Sequence, residues 1–253
     1  MNEPDVMVYL MTGFLDSGKS QFLKFTLTQD YFQIDGTTLL ILCEEGEEEF
    51  DPLEMAKHGV KIIKIEEQEE LTEAFLNELH EKYSPERVVI EYNGMWKVSD
   101  FEALSLPQGW EIEQKLTTVD ASTFQMYLNN LKPLFVEMVR GAELVLFNRC
   151  TDIEPLAGYR RSVKVVSPQA EVIFEDENGE IENIFGDDVP YDLNAPVIEI
   201  PREDYGIWYV DVMENPDRYK GKVIEFIAKV LKPKGISVQG ISSGTDGDDL
   251  LCG

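Results

Sequence analysis

The sequence predicts an α/β protein whose mostly parallel sheet is covered by helices on both faces, with a small β-rich extension at the carboxyl end. Three observations carry that expectation. Short, almost continuously apolar runs alternate with longer amphipathic stretches over the first 175 residues, the pattern of strands buried on both faces. A glycine-rich loop, Gly13-Phe14-Leu15-Asp16-Ser17-Gly18-Lys19-Ser20, separates the first apolar run from the first amphipathic one. Beyond about residue 190 the texture changes to proline-punctuated and then Gly/Ser/Asp-rich sequence.

Taken in order, Val6–Met11, Thr38–Cys43, Arg87–Glu91, Leu116–Asp120 and Leu144–Asn148 read as buried strands. Helices are expected over Lys19–Gln29, Glu67–Lys82, Phe124–Val139 and, with a weaker pattern, Glu154–Val166. Leu71, Phe75, Leu76 and Leu79 share one face at helical spacing and read as core. Glu175–Gly186 carries a hairpin-like turn signal, and Pro190, Pro196 and Pro201 mark a linker or an extended edge. Ile207–Val212 and Lys222–Leu231 read as β-like runs. The expected division is 1–190, a nucleotide-binding domain; 191–234, a β-rich extension; and 235–253, a poorly ordered tail.

Lys and Arg total 22 against 49 Asp and Glu, a net charge of −27. A nucleic-acid partner is therefore not expected, because phosphate contacts need a basic face. Acidity instead suits a cation-rich partner or metal ions. Cys43, Cys150 and Cys252 are too few and too scattered for a disulfide framework. No apolar run approaches the length of a membrane span, and no signal-peptide pattern opens the chain, so a cytoplasmic protein without membrane insertion is expected.

The glycine-rich loop fits G-x-x-x-x-G-K-[ST] at every fixed position. Its glycines let backbone N–H groups turn inward as a phosphate nest, and the following helix terminus adds partial positive charge. Lys19 is expected on the β- and γ-phosphates and the Ser20 hydroxyl on Mg²⁺, with Gly13, Asp16, Ser17, Gly18 and Gln21 completing the nucleotide loop. A carboxylate closing a neighbouring strand, Glu91, is placed to orient water or hold Mg²⁺.

Further segments add to the motif in order. Tyr9–Ser20, the acidic run Glu44–Asp51, Val89-Ile-Glu-Tyr-Asn-Gly94, Val119-Asp-Ala121, Gly141–Arg149 and Ser167-Pro-Gln-Ala170 together resemble the CobW-like P-loop GTPases, relatives of the urease and hydrogenase nickel-insertion GTPases. The resemblance implies a slow, Mg²⁺-dependent GTPase of the metallochaperone type. Lys19, Glu91 and Gly94 would be its catalytic residues, and Glu44 and Glu47 would belong to a mobile switch. Two departures stand out. No cysteine occurs over residues 52–86, where that family commonly carries C-x-C-C. Cys43, Glu44 and Glu47, with His58 nearby, remain as candidate Zn²⁺ or Co²⁺ ligands beside Ser20 for Mg²⁺. The family's N-K-x-D becomes Asn148-Arg149-Cys150-Thr151-Asp152, with the acid one residue late. Asn148, Arg149 and Asp152 are the candidate base-site residues, with GTP favoured and ATP a rival. Tyr205–Lys222 faintly resembles a small β domain found beside permease subunits. A metalloprotein client and a permease subunit are therefore alternative partners, and a P-loop kinase is a third, less favoured reading.

Overall fold

The computed structural model describes all residues except 1–4, 47–48, 154–155, 182–188, 190, 203, 229–249 and 252–253. Most of the expected tail, the candidate ligand Glu47 and Cys252 thus lie outside the described residues. The chain forms two compact units, Met1–Ile153 with Val163–Glu182, and Glu154–Ser162 with Asn183–Gly253.

The first unit is built on strands β1 (Val6–Thr12), β2 (Thr38–Leu42), β3 (Val60–Lys64), β4 (Arg87–Glu91), β5 (Trp110–Asp120), β6 (Leu144–Asn148), β7 (Glu171–Asp176) and β8 (Gly179–Glu180). They lie in one sheet in the order β3-β2-β4-β1-β5-β6-β7-β8. Every pairing is parallel except β7 with β8. All residues of β2 and β4 are buried, as strands covered on both faces require. Between the strands run α1 (Lys19–Leu27), α2 (Pro52–Lys57), α3 (Glu73–Tyr83), α4 (Val98–Glu102), α5 (Ala121–Asn130) and α6 (Lys132–Val139). Leu23 and Leu27, one helical turn apart on α1, pack with Met11, Leu40, Leu42 and Val89 of the central strands. Burying each such leucine is worth about 1.5–3 kcal/mol. That face seats the helix, and with it the loop that precedes it.

Several expected elements are refined. The single helix over Glu67–Lys82 is a short 3₁₀ turn, Gln68–Glu70, followed by α3, because the Thr72 hydroxyl accepts from the Phe75 N–H at 3.2 Å and starts a new helix there. Phe124–Val139 is two helices, α5 beginning earlier at Ala121 and α6 opening with Pro133 in its first turn, where proline is tolerated. The weaker pattern over Glu154–Val166 is helix α7 (Leu156–Lys164). Strand β3 escapes an apolar-run reading because Lys61 and Lys64 interrupt it at the sheet edge. The first half of β5 is similarly masked by exposed Glu111 and Glu113.

The second unit pairs β9 (Val197–Ile200) in parallel with β10 (Val223–Ala228), and β11 (Leu250–Leu251) antiparallel to β10. The β-like run Ile207–Val212 is corrected: it lies within helix α8 (Tyr205–Glu214). Trp208 and Val212, one turn apart, pack on the cluster of Tyr191, Ile198, Ile200 and Tyr219. On the same helix Asp211, wholly buried, accepts hydrogen bonds from the Tyr219 hydroxyl, from Asn215 Nδ2 at 2.8 Å and from Arg218 Nη1 at 3.3 Å. Packing and this buried carboxylate override the strand preference of Ile-Trp-Tyr-Val.

Candidate nucleotide site

The site forms where β1, β2, β4, β5 and β6 end, on the carboxyl edge of the parallel sheet, the edge at which such sheets bind ligands. Strand β1 runs into the loop Gly13–Ser20, and α1 begins at Lys19 with no side chain capping its first N–H groups. Those donors stay available to an anion. Gly18 has φ 90°, and a Cβ there would fall 2.5 Å from Asn148 Nδ2, so only glycine serves. The loop is pinned from two sides. Ser17 Oγ and Thr118 Oγ1 are 2.9 Å apart, and Asn148 Nδ2 donates to the Ser17 carbonyl at 2.8 Å. Phe14 stacks on Tyr127 of α5 at 4.2 Å.

A cavity of about 100 Å³ opens over this loop, lined by Asp16, Gly18, Lys19, Ser20, Gln21, Glu44, Glu91 and Arg149 together with Leu15 and Gly46. Lys19, 3 % exposed, donates to the carbonyls of Gly13 and Phe14, both at 2.9 Å, and pairs with Glu44 at 2.6 Å. Ser20 Oγ donates to Glu91 Oε1 at 2.6 Å. The second carboxylate oxygen of Glu91 is buried and finds no hydrogen-bond partner among the described residues. Burial pushes the Glu91 carboxyl above the usual carboxylate range; the Ser20 hydrogen bond and the Lys19 charge oppose this, and the Glu44 charge adds to it. A hydroxyl and a buried, underused carboxylate oxygen are the hard donors that Mg²⁺ takes beside phosphate. Gly94 follows Glu91 by three residues and passes so close to the loop that a Cβ would lie 2.5 Å from the Gly13 carbonyl oxygen.

Arg149, with φ 54°, donates to the Asp16 carbonyl at 2.8 Å and pairs with Asp120 Oδ2 at 2.5 Å. Burial raises the Asp120 carboxyl, but hydrogen bonds from Ser122 and Arg149 outweigh it and hold the group below its ordinary value. Nothing in the run Val119-Asp-Ala121 by itself marks Asp120 as the anchor of Arg149. That pairing emerges only when β5 and β6 lie side by side, Asp120 opposite Asn148.

A wider groove of about 610 Å³ adjoins the first through Gly18, Gln21 and Arg149. Phe22, Phe25 and Leu146 give it apolar walls, and Asn148, Thr151, Glu175, Asp176 and Glu177 give it polar ones. Thr151, the fourth residue of the Asn148 loop, and Asp152 are both exposed, but only Thr151 stands in the lining. Thr151 and the acids at the end of β7 carry no mark in the sequence, because their part depends on the Cys150 N–H bonding the Glu175 carbonyl at 3.0 Å. Cys43 is 1 % exposed, and burial, with the charges of Glu91 and Glu44, pushes its thiol up, away from the thiolate a soft metal needs. His58 closes α2, and no group of three or more His, Cys, Asp and Glu side chains suited to a metal ion occurs among the described residues. No described helix is long and apolar enough to cross a membrane.

A phosphate nest at the head of a parallel sheet, with a lysine and a hydroxyl–carboxylate pair facing it, defines the class: a P-loop nucleotide-binding protein. The family model described as "CobW/HypB/UreG, nucleotide-binding domain" matches residues 7–174, and the chain belongs to that family. Among solved structures it is similar to a Zn(II)-bound YjiA GTPase from E. coli and to a Zn(II)-bound triple mutant of YjiA. Each is 21% identical with a TM-score of 0.52, over 72% of this chain and 60% of that one. It is also similar to the hydrogenase maturation factor HypB from Archaeoglobus fulgidus, at 13% identity and a TM-score of 0.47, over 69% of this chain and 83% of that one. The chain thus spans about three-fifths of the length of the YjiA structures. No curated protein is significantly similar to it.

Proposed function

We propose that the chain is a Mg²⁺-dependent GTPase of the metallochaperone type, hydrolysing GTP slowly and switching a client protein. One observation carries the reading. Lys19, the uncapped start of α1 and the Ser20–Glu91 pair line a single cavity, and the second Glu91 oxygen is left without a partner among the described residues. Lys19 and the loop N–H groups would bind and orient the terminal phosphates. Ser20 and Glu91 would hold Mg²⁺, which would supply charge neutralisation to the phosphates. The base would occupy the wider groove, with Asn148, Thr151 and the acids at the end of β7 at its polar edge. Arg149, the other cation lining the phosphate cavity, is tied to Asp120 and to the Asp16 carbonyl, so charge on the transferring phosphoryl group is incompletely compensated and unaided turnover is slow. The net charge of −27 suits a cation-rich client.

The two partner readings part over metal. In the first the protein handles Zn²⁺ or Co²⁺ for a metalloprotein client, at a site including Cys43, Glu44 and Glu47. In the second it switches a permease subunit and holds no transition metal. The burial of Cys43, which leaves the residue 1 % exposed and pushes its thiol up, favours the second. Calorimetric titration decides both questions. GTP is expected to bind more tightly than ATP, and Zn²⁺ binding to be unchanged in Cys43→Ser whichever nucleotide is present. Equal affinities for GTP and ATP would contradict the choice of base, and a Cys43-dependent Zn²⁺ site would restore the metal-handling reading.

A further inference from the structure

We propose that Glu44 is an intramolecular stand-in for the nucleotide's terminal phosphate, held in the site until a triphosphate expels it. The inference rests on the nucleotide reading above and assigns a specificity role within it: Glu44 sets the preference between tri- and diphosphate.

The two oxygens of the Glu44 carboxylate are divided between two donors. Oε2 lies 2.6 Å from the Lys19 ammonium, and Oε1 accepts from the Gly94 N–H at 3.3 Å. The first donor sits on the phosphate loop, and the second on a backbone that touches that loop. A P-loop lysine serves the β- and γ-phosphates. An anion that engages this lysine while also taking a backbone N–H from the facing strand end therefore occupies ground a terminal phosphoryl group would claim. The O–C–O fork presents two oxygens much as one edge of a phosphoryl tetrahedron does. The Glu44 side chain is 9 % exposed, so the pair sits where charges are weakly screened. Lys19 also donates to the Gly13 and Phe14 carbonyls, both at 2.9 Å, so its ammonium is fully engaged between the phosphate loop and Glu44.

The local chain allows Glu44 to leave. Strand β2 is tied as far as Cys43, whose N–H donates to the Glu91 carbonyl at 2.9 Å and whose carbonyl accepts from Asn93 Nδ2 at 3.1 Å. Glu44 is the first residue past those ties. Two residues on, a Cβ on Gly46 would lie 3.5 Å from Ser20 Oγ, so the same loop passes over the magnesium-side hydroxyl. A diphosphate would share only the Lys19 ammonium with the carboxylate and would leave it the Gly94 N–H. A triphosphate would claim both donors, so its terminal phosphoryl group and the carboxylate cannot occupy the site together. Arrival of the γ-phosphate therefore releases Glu44 and the loop over Ser20, and its departure lets both return. By linkage, the carboxylate weakens triphosphate by the factor with which triphosphate weakens the Glu44 contact.

The test is equilibrium titration of wild type, Glu44→Gln and Glu44→Ala with fluorescent GDP and with a non-hydrolysable GTP analogue in Mg²⁺. Glu44→Gln keeps the size of the side chain and removes its charge, and melting curves verify the fold of both variants. The ratio of triphosphate to diphosphate affinity is expected to rise about tenfold in both, within the usual range of coupling between sites. An equal gain for both nucleotides would show Glu44 to be a general competitor for Lys19 and overturn the proposal. So would an unchanged ratio or a selective loss of triphosphate. Failure of wild type to bind either nucleotide would instead remove the nucleotide reading itself.

Discussion

The proposed phosphate side and the proposed base side of the site are built from different kinds of constraint. On the phosphate side, the chain path is set first by backbone, with Gly18 in the left-handed region and Gly94 pressed against Gly13, and is then pinned by Ser17 on Thr118, Phe14 on Tyr127 and the Leu23 and Leu27 face of α1. On the base side, position is set by side chains meeting across strands: Arg149 on Asp120, Asn148 on the Ser17 carbonyl, Thr151 and the acids of β7 in one groove. Backbone constraints leave fixed glycines and spacings in a sequence. Side-chain constraints can be met by other residues at other positions. The phosphate side should therefore fail abruptly under substitution and the base side by degrees.

The largest effect is expected at Lys19. Lys19→Ala removes the buried ammonium from the phosphate cavity, and nucleotide affinity should fall at least about 100-fold, as for other groups that meet a charged centre in a water-poor site. The same change strands Glu44, and breaking a buried pair from one side costs about 3–5 kcal/mol. The double variant Lys19→Ala/Glu44→Ala should regain thermal stability without regaining nucleotide. Recovery of binding in the double variant would mean that Lys19 acts through Glu44 and not on phosphate.

Next comes Glu91. Glu91→Gln should cut the tightening of nucleotide binding by Mg²⁺ about tenfold, by loss of a carboxylate ligand. Its carboxyl is held above the ordinary value, so in the absence of ligand Glu91 contributes stability below the unfolded carboxyl pKa. That contribution is lost as pH rises through the raised folded value. Mg²⁺ competes with the same proton, so the Mg²⁺ effect should fade on acidification earlier than an ordinary carboxylate would allow. Nucleotide titrations at stepped pH in wild type and Glu91→Gln measure this; identical profiles would take Glu91 out of the metal site.

The ordering of these effects matches how legible each side is in the sequence. Gly13–Ser20 and Glu91 stand at the expected strand ends, and the alternation of apolar runs locates β1, β2, β4 and β6 because their residues are largely buried. Strand β3 and the first half of β5 are hidden because their charged residues face solvent at an edge or before the core begins. Helix α8 is hidden because Ile207–Val212 carries strand-forming side chains whose helical state depends on Asp211, Tyr219 and the Tyr191 cluster. In the site, the extra spacing in Asn148–Asp152 is plain, but its consequence is not. The tie from Cys150 to Glu175 holds this loop beside the end of β7, with Thr151 in the groove lining and Asp152 outside it.

On the base side, Thr151→Val should weaken GTP about fivefold, the worth of one hydrogen bond near 1 kcal/mol, while Asp152→Asn changes it less than about twofold. A larger loss at Asp152 would mean that the acid swings into the groove when nucleotide binds. The smallest effect is expected at Asp120→Asn. Its partner Arg149 is half exposed, and such pairs contribute about 0–1 kcal/mol, so the melting temperature should barely move. A large drop, matched by Arg149→Ala, would mean that the Asp120–Arg149 tie carries more than a surface pair; a large drop unmatched by it would point to the Asp120 cap on Ser122 at the start of α5.

The most direct test of the nucleotide reading is single-turnover phosphate release from GTP by purified protein in Mg²⁺, wild type beside Lys19→Ala/Glu44→Ala. Wild type is expected to release phosphate at well below one per second, in keeping with a P-loop GTPase whose cavity arginine is committed elsewhere, and the double variant not at all. Equal release by both proteins, or turnover near ten per second by wild type alone, a rate ordinary for a fully assembled enzyme, would contradict the account.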